Sequence, residues 1–290
     1  MRICLYWNPG AGDRLPLDDV TNAIQEAGHD VVRVIRRKRD VDEALQMNID
    51  AMVAAGGDGT VARVGRALAG TALPMAILPL GTANNIATAL GVAGDVAAVA
   101  REWTLSRRVH IDVGVVNDDQ GEHLFLEGVG TGLVPRGINR GRNDTGQHRF
   151  QDAAAEVDWA RQMFLDALAD LQSQRSDLLI EGDQVGGDYL LVEVLNVASV
   201  GPRLRLSAET TPADGLLSVV IAGEHDRDAI AAHLKLPWDD DDNHAWLKSW
   251  PAHTVDVSGW TEYHVDDEVR TSHTGELAIT VRPGALGVLA

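Results

Sequence analysis

Two glycine-rich turns constrain this chain more than any other feature. Gly56-Gly57-Asp58-Gly59-Thr60 and Leu80-Gly81-Thr82-Ala83-Asn84-Asn85 each follow a short apolar run and precede a helical pattern. Strand, glycine turn and helix in succession make units that stack into a parallel sheet, and in an open parallel sheet such turns fall at the carboxyl ends of the strands, where ligands bind. Glycine lets backbone approach an anion closely, and the unpaired N–H groups of a helix's first turn point at it with the helix dipole behind them. One such turn is as often a structural device as a phosphate cradle. Two, each carrying a hydroxyl and a polar side chain, point to phosphate.

The flanking pattern agrees. Arg2 to Trp7 reads as a first strand running into Asn8-Pro9-Gly10-Ala11-Gly12, and Leu17, Val20, Ile24 and Ala27 then recur at helical spacing until Gly28. Strands are expected at Val31 to Ile35, Ala51 to Ala55 and Ala76 to Leu80, with helices around Val41 to Met47, through Val61, Val64 and Leu68, and from Asn84. Beyond about residue 109 the apolar period shifts towards two, at Val109 to Val116, Leu124 to Val129, Leu178 to Ile180, Leu190 to Val197, Leu216 to Ile221 and Leu277 to Val281. That half reads as antiparallel and β-rich. Asp152 to Leu171 is its one long helical pattern, with Ala155, Trp159, Met163, Leu165 and Leu168 expected on the buried side.

Composition removes several classes of function. No apolar run reaches the ~18 residues of a membrane-spanning helix and the N-terminus has no signal-peptide pattern, so a soluble, cytoplasmic protein is expected. Cys4 is the single cysteine, which rules out an internal disulfide and a cysteine zinc site. With 25 Lys and Arg against 43 Asp and Glu the net charge is −18, a field that repels nucleic acid and anionic lipid unless basic groups gather locally. They gather at Arg33, Arg36, Arg37, Lys38 and Arg39, and at Arg136, Arg140, Arg142 and Arg149, either as solvated faces or as contacts for phosphates. The segment Pro135 to Arg149 is expected to be a loop facing a bilayer. Pro237 to Asn243 lacks the spacing of a calcium loop and reads as a solvated acidic turn.

The absent motifs narrow the chemistry further. There is no G-x-x-x-x-G-K-[ST], no G-x-S-x-G and no H-E-x-x-H, and Ala62 stands where a dinucleotide fingerprint has its third glycine. Asp58, in the middle of a phosphate turn, would repel phosphate unless a divalent cation lay between them, so it predicts magnesium; its alternative role is to cap a helix. Glu268 can act as general base for a hydroxyl, with Asp266 and Asp267 raising its pKa by repulsion; an Asp-Asp-Glu run is otherwise an exposed turn.

The chain resembles the diacylglycerol kinase catalytic domain family, which includes small bacterial lipid kinases and the sphingosine kinases. The resemblance rests on Asn8-Pro9, the GGDGT of Gly56 to Thr60, the LPLGTANN ending at Asn85, Ile111-Asp112-Val113-Gly114, the glycine-rich run from Gly128 to Gly132, Pro212-Ala213-Asp214-Gly215-Leu216-Leu217 and Val265-Asp266-Asp267-Glu268. It spans essentially the whole chain. NAD kinases share GGDGT, whereas the later segments are those of the lipid kinases.

The resemblance implies an α/β N-terminal nucleotide-binding domain with a parallel sheet plus a C-terminal β-sandwich domain, with ATP between them. Residues 1–112, with a return over 279–290, would form the first domain and 113–278 the substrate domain. Nucleotide would bind Gly57, Asp58, Gly59, Thr60, Val61, Ala62, Arg63 and Thr82, Glu268 would be the base, and Asp214 with the carbonyls of Thr211 and Leu216 would hold a magnesium ion bracing the second domain. ATP and Mg²⁺ are the implied cofactors. The implied partner is a lipid at a membrane surface, with peripheral membrane contact and no nucleic acid; a monomer and a homodimer both stay open.

Several positions depart from the family. Ala62 and Arg63 stand for an Asn-Glu pair, Asn85 and Ser218 for aspartates, Asp267 for glycine and Ile35 for a nucleotide-contacting threonine. Two alternatives therefore stand beside a lipid kinase: a soluble-substrate kinase of the NAD kinase type, and a catalytically weak nucleotide-binding regulatory protein.

Overall fold

Four parallel strands carry the N-terminal half, in the order β2-β1-β3-β4: β1 (Arg2–Trp7), β2 (Asp30–Ile35), β3 (Ala51–Gly56) and β4 (Met75–Pro79). This is a computed structural model, and it describes residues 1–10, 15–146, 148, 150–237 and 247–289. Ala11, Gly12, Arg149 and the acidic run after Pro237 lie outside the described residues. Alternate residues of each strand feed two apolar layers. Tyr6, Met52, Ala54 and Ile77 pack on Val61, Val64 and Leu68 of α3 (Asp58–Leu68), together with α2 (Val41–Leu45) and α4 (Asn85–Ala89). On the other face Ile3, Leu5, Val53 and Leu78 meet α1 (Leu17–Glu26) and α5 (Val96–Glu102). The central strand β3 is buried along its whole length, which is why it reads as an unbroken apolar run.

The C-terminal half is a β-sandwich with, among the described residues, three α-helices. Its elements are β5 (Arg108–Asp118), β6 (Gly121–Phe125), β7 (Gly128–Gly132), α6 (Leu133–Asn143), α7 (Ala153–Asp170), β8 (Gln174–Ile180), β9 (Asp183–Leu195), the short pair β10 (Ser199–Val200) and β11 (Leu204–Arg205), β12 (Leu217–Gly223), α8 (Arg227–Lys235), β13 (Ser249–Ala252), β14 (Thr254–Ser258), β15 (Glu262–Val265), β16 (Glu268–Thr271) and β17 (Glu276–Leu289). Val116, Phe125, Val194, Val219, Val255, Trp260 and Tyr263 are among the side chains filling the sandwich.

Two long strands run through both halves. Antiparallel β5 and β17 pair from Arg108↔Leu289 to Asn117↔Ala278, with a break in register between Arg282 and Leu286. The end of β17 lies parallel to β4, and its start pairs antiparallel with β14. Asp112 sits beside the break, and its carboxylate accepts the N–H groups of Gly284 and Gly215, both at 2.7 Å. One buried acid thus ties the crossing of the two halves to the loop around Asp214.

Where structure and pattern differ, side-chain chemistry explains it. The run Leu124 to Val129 breaks into β6 and β7 because the N–H groups of Leu126 and Glu127 go to the carboxylate of Asp266 instead of a ladder. The segment Pro135 to Arg149, expected as loop, is helical up to Asn143 as part of α6, and Pro135 falls in the first turn, where a missing N–H costs nothing. Of the five α7 residues expected inside, Leu168 is fully buried and the other four are half-buried. The buried stripe of α7 is Val157, Arg161, Phe164, Ala167 and Leu168. Arg161 is tolerated there because its guanidinium donates to the carbonyls of Pro202, Arg203 and Leu236.

Candidate functional site

The two glycine turns lie against each other at the carboxyl end of the sheet. A Cβ built on Gly81 would overlap the Cα of Gly57, so this packing admits glycine at both positions. Asn84, at φ 54°, shapes the second turn, accepting the N–H of Gly81 at 3.0 Å and donating to its carbonyl at 2.6 Å. Asn8, just past β1, donates to the Thr60 hydroxyl at 3.1 Å and accepts the N–H of Gly10. The Asn8-Pro9-Gly10 turn therefore joins the same edge. No side chain caps the first turn of α3; Thr60 and Val61 donate their N–H groups to the Gly57 carbonyl at 2.9 and 3.0 Å, so the N–H groups ahead of them, those of Asp58 and Gly59, are the ones that can meet a ligand.

The remaining residues expected at the nucleotide site fall into two groups. Val61 and Ala62 have their side chains in the core and can offer only backbone, whereas half-buried Arg63 donates to the Tyr6 hydroxyl at 3.4 Å. The Thr82 hydroxyl donates to Glu156 of α7 at 2.8 Å, so it links the two domains.

Asp58, half-buried at the start of α3, lies close to two buried acids, Glu127 and Asp266. Its carboxylate accepts the N–H of Ile86 at 2.9 Å, at the start of α4, and so fills the capping role as well. Burial raises its pKa, with the amides of the turn pulling the other way. Glu127 comes close from the second domain, fully buried, and its carboxyl is held well above the usual range by burial and by the charges of Asp58 and Asp266. Asn85 donates to Glu127 at 2.6 Å and to the carbonyl of Gly201 at 2.9 Å. The acid missing at position 85 is thus matched by one 42 residues later, which no local pattern announced.

Opposite lies the turn Val265-Asp266-Asp267-Glu268. Asp266, left-handed at φ 52°, points its carboxylate inward to the N–H groups of Leu126 at 3.0 Å and Glu127 at 2.8 Å and to Arg66 at 3.1 Å. Burial pushes its pKa up to about 6. Asp267 lies against the glycine turn, close enough that a Cβ on Gly59 would stand 2.6 Å from its Oδ2. Its carbonyl accepts from Arg142 of α6 at 2.6 Å. Glu268, half-exposed, faces Arg66 at 3.5 Å and Arg270 at 3.7 Å. The expected crowding of Glu268 by both aspartates is therefore not what the turn does: Asp266 turns into the core, Asp267 turns to Gly59, and two arginines flank Glu268. Arg66 and Glu127, which organise this side, were not singled out from sequence.

Asp214 lies apart from the cleft, exposed, accepting the Leu216 N–H at 2.9 Å, with Thr211 exposed and Leu216 half-buried in the same loop.

Beside Thr82 opens a cavity of about 400 Å³ between α6 and α7, with Gly137, Ile138, Trp159, Met163 and Phe164 on its walls and Arg142 at the side that reaches Asp267. A larger cavity of about 1100 Å³ on the other side of α6 is lined by Thr131 and Gly132 of the glycine-rich run and by Arg136 and Arg140, and touches neither glycine turn nor the Asp266–Glu268 turn. Three arginines of the expected basic loop have partners within the protein: Arg136 with Glu262 at 3.5 Å, Arg140 with Asp170 at 3.0 Å, and Arg142 with the Asp267 carbonyl. In the other cluster Arg33 pairs with Glu43, Arg39 with Asp40, and Arg36 lies over the Trp7 ring. Among the described residues no helix is long and apolar enough to cross a membrane.

Comparison with known proteins agrees with this arrangement. Residues 2–116 match the diacylglycerol kinase catalytic domain, and residues 134–290 match the YegS C-terminal NAD kinase beta sandwich-like domain. A Klebsiella pneumoniae protein named "Probable lipid kinase YegS-like" is 30% identical over 277 residues, covering 92% of this chain and 86% of its own. The Salmonella typhimurium "Probable lipid kinase YegS" is 27% identical, covering 97% and 93%. A Bacillus anthracis diacylglycerol kinase structure shares the fold with a TM-score of 0.73 at 20% identity, covering 99% of this chain and 96% of that one. An Archaeoglobus fulgidus NAD kinase solved in complex with ATP shares it more distantly, with a TM-score of 0.56 at 13% identity, covering 100% and 94%.

Proposed function

The chain belongs to the bacterial lipid kinase family in which a diacylglycerol kinase catalytic domain precedes a YegS-type sandwich, enzymes that phosphorylate an alcohol, and we propose that it transfers the γ-phosphoryl group of ATP, with Mg²⁺, to a hydroxyl of a membrane lipid such as diacylglycerol. The observation that carries this reading is the approach of Asp267 to Gly59, which brings the turn that bears Glu268 against the glycine turn. The N–H groups at the start of α3 hold the phosphates, helped by the helix dipole. Glu268 takes the proton of the attacking hydroxyl, and the flanking arginines hold its carboxylate in place. Positioning supplies most of the rate.

Asp58 and Glu127 fit a divalent cation by their chemistry, because the charge of Asp58 adds to the cost of ionising buried Glu127 while Arg66 is engaged by Asp266 and Glu268. Magnesium bound there would neutralise charge on the phosphoryl oxygens. Asp214, with the carbonyls of Thr211 and Leu216, offers an exposed all-oxygen set in a loop that Asp112 anchors, and in this reading it holds a second, bracing ion.

The apolar cavity between α6 and α7 favours a lipid over a soluble acceptor. Its size suits part of an acyl chain, and it opens beside Thr82 and the Asp267 turn. The surrounding α6 face, with its paired arginines, is the proposed membrane contact.

The test is a screen of lipid extract with labelled ATP, with and without Mg²⁺. Label entering an organic-soluble product only with Mg²⁺ is the expected result; label on NAD, or nucleotide binding with no turnover, would replace this reading with one of its alternatives.

A further inference from the structure

Behind the Asp266–Glu268 turn lies a buried pair that the proposed reaction does not use. Glu193 of β9 and His264 of β15 are both fully buried, with 2.8 Å between Oε2 and Nε2. The other ring nitrogen, Nδ1, stands 2.8 Å from the carbonyl oxygen of Asp266. A carbonyl only accepts, so Nδ1 carries a hydrogen and donates it. The Nε2–Oε2 contact then holds one further proton, on the ring or on the acid.

This arrangement is poorly explained as a device for stability. Glu193 Oε1 has no hydrogen-bond partner, and a Cβ on Gly130, opposite on β7, would collide with the Glu193 carboxyl. Space has been left for an acid that is only half satisfied. A buried ion pair is often no better than an apolar pair of similar volume, and an unsatisfied oxygen adds to its cost. Its outward contact is the Asp266 carbonyl. That residue is left-handed, and its carboxylate is already fixed by two N–H groups and Arg66. With His264 holding the carbonyl, the peptide leading to Asp267 and Glu268 is held from both sides.

We propose that His264, oriented by Glu193, is a positioning residue for phosphoryl transfer: it fixes the Asp266 peptide and, through it, the direction in which Glu268 meets the acceptor hydroxyl. This rests on Glu268 being the base. A displacement of about 1 Å at such a group can cost on the order of a hundredfold in rate.

The test compares two double variants that differ in one donor. Glu193→Leu/His264→Leu removes both charges and the hydrogen bond to Asp266, whereas Glu193→Leu/His264→Asn places an amide N–H near the position of Nδ1. The expected result is an apolar variant that melts no lower than wild type, with kcat reduced at least about tenfold and KM for ATP unchanged. The asparagine variant should recover kcat to within about threefold of wild type. Wild-type kcat in the apolar variant, or equal losses in both, would overturn the proposal. Glu268→Gln, measured alongside, separates the two claims: full activity there removes the base itself, whereas an inactive Glu268→Gln beside a fully active apolar variant removes only the positioning role. Should the apolar variant fail to fold, the asparagine variant decides alone, since a loss as large as that of Glu268→Gln contradicts sufficiency of the donor.

Discussion

The two walls of the cleft are built by different means. The N-terminal wall is backbone: glycine turns at the ends of β3 and β4, the open first turn of α3, and short polar side chains that shape their own turns. The C-terminal wall is made of buried ionisable side chains brought together from the β6–β7 connection, β9, β15 and the β15–β16 turn, with Glu127, Glu193, His264 and Asp266 in one region. The first wall is preorganised mainly by sterics, with Asp58 its titrating group. The second is preorganised by protons and charges, and substitution and pH should act on it differently.

The largest effect expected on the first wall comes from Gly81→Ala. The added methyl overlaps Gly57, so the turns must part, at a cost of about 1–3 kcal/mol and with loss of ATP binding. Calorimetric titration with ATP checks it, and wild-type affinity would show that the contact between the turns is dispensable.

On the second wall, Asp266 makes stability depend on pH. Its folded-state pKa, about 6, lies above its ordinary 3.8, so the folded chain binds the proton more tightly. The resulting stabilisation is complete below the unfolded value and is lost as pH rises through about 6. The rise from 3.8 to about 6 corresponds to about 3 kcal/mol. Asp266→Asn should therefore flatten the fall in melting temperature between about pH 4.5 and pH 7 relative to wild type. Parallel profiles for the two proteins would remove Asp266 as the cause.

The smallest effect is expected outside the cleft. Arg136 and Arg140 already face carboxylates, so neutralising both with glutamine should weaken binding to anionic vesicles by less than the ~1 kcal/mol that each free cation contributes. Vesicle sedimentation at low and at ~0.15 M salt measures it. A loss of several kcal/mol would mean that the pairs open at the membrane.

How much was legible follows the same division. Strands β1, β3 and β4 and both glycine turns were readable because apolar runs and turn chemistry are local. The meeting of Gly57 with Gly81 needed only the inference that both turns end parallel strands. The second wall was readable only where the Asp266-Asp267-Glu268 run carried a family pattern. Glu127 and Glu193 stand within apolar runs and carry no signal of their own, because their partners Asn85 and His264 lie 42 and 71 residues away. Helix α6 was missed because its glycines and arginines hide the apolar face formed by Leu133, Val134 and Ile138.

The most direct measurement of the central claim, that the two walls act on one phosphoryl group, is single-turnover transfer from labelled ATP to lipid by Glu268→Gln. ATP affinity should stay within about twofold of wild type, because the first wall is untouched, while transfer falls by about 10²- to 10⁴-fold. Transfer at the wild-type rate would contradict the account, since the Asp266–Glu268 turn would then approach Gly59 without taking part in the chemistry.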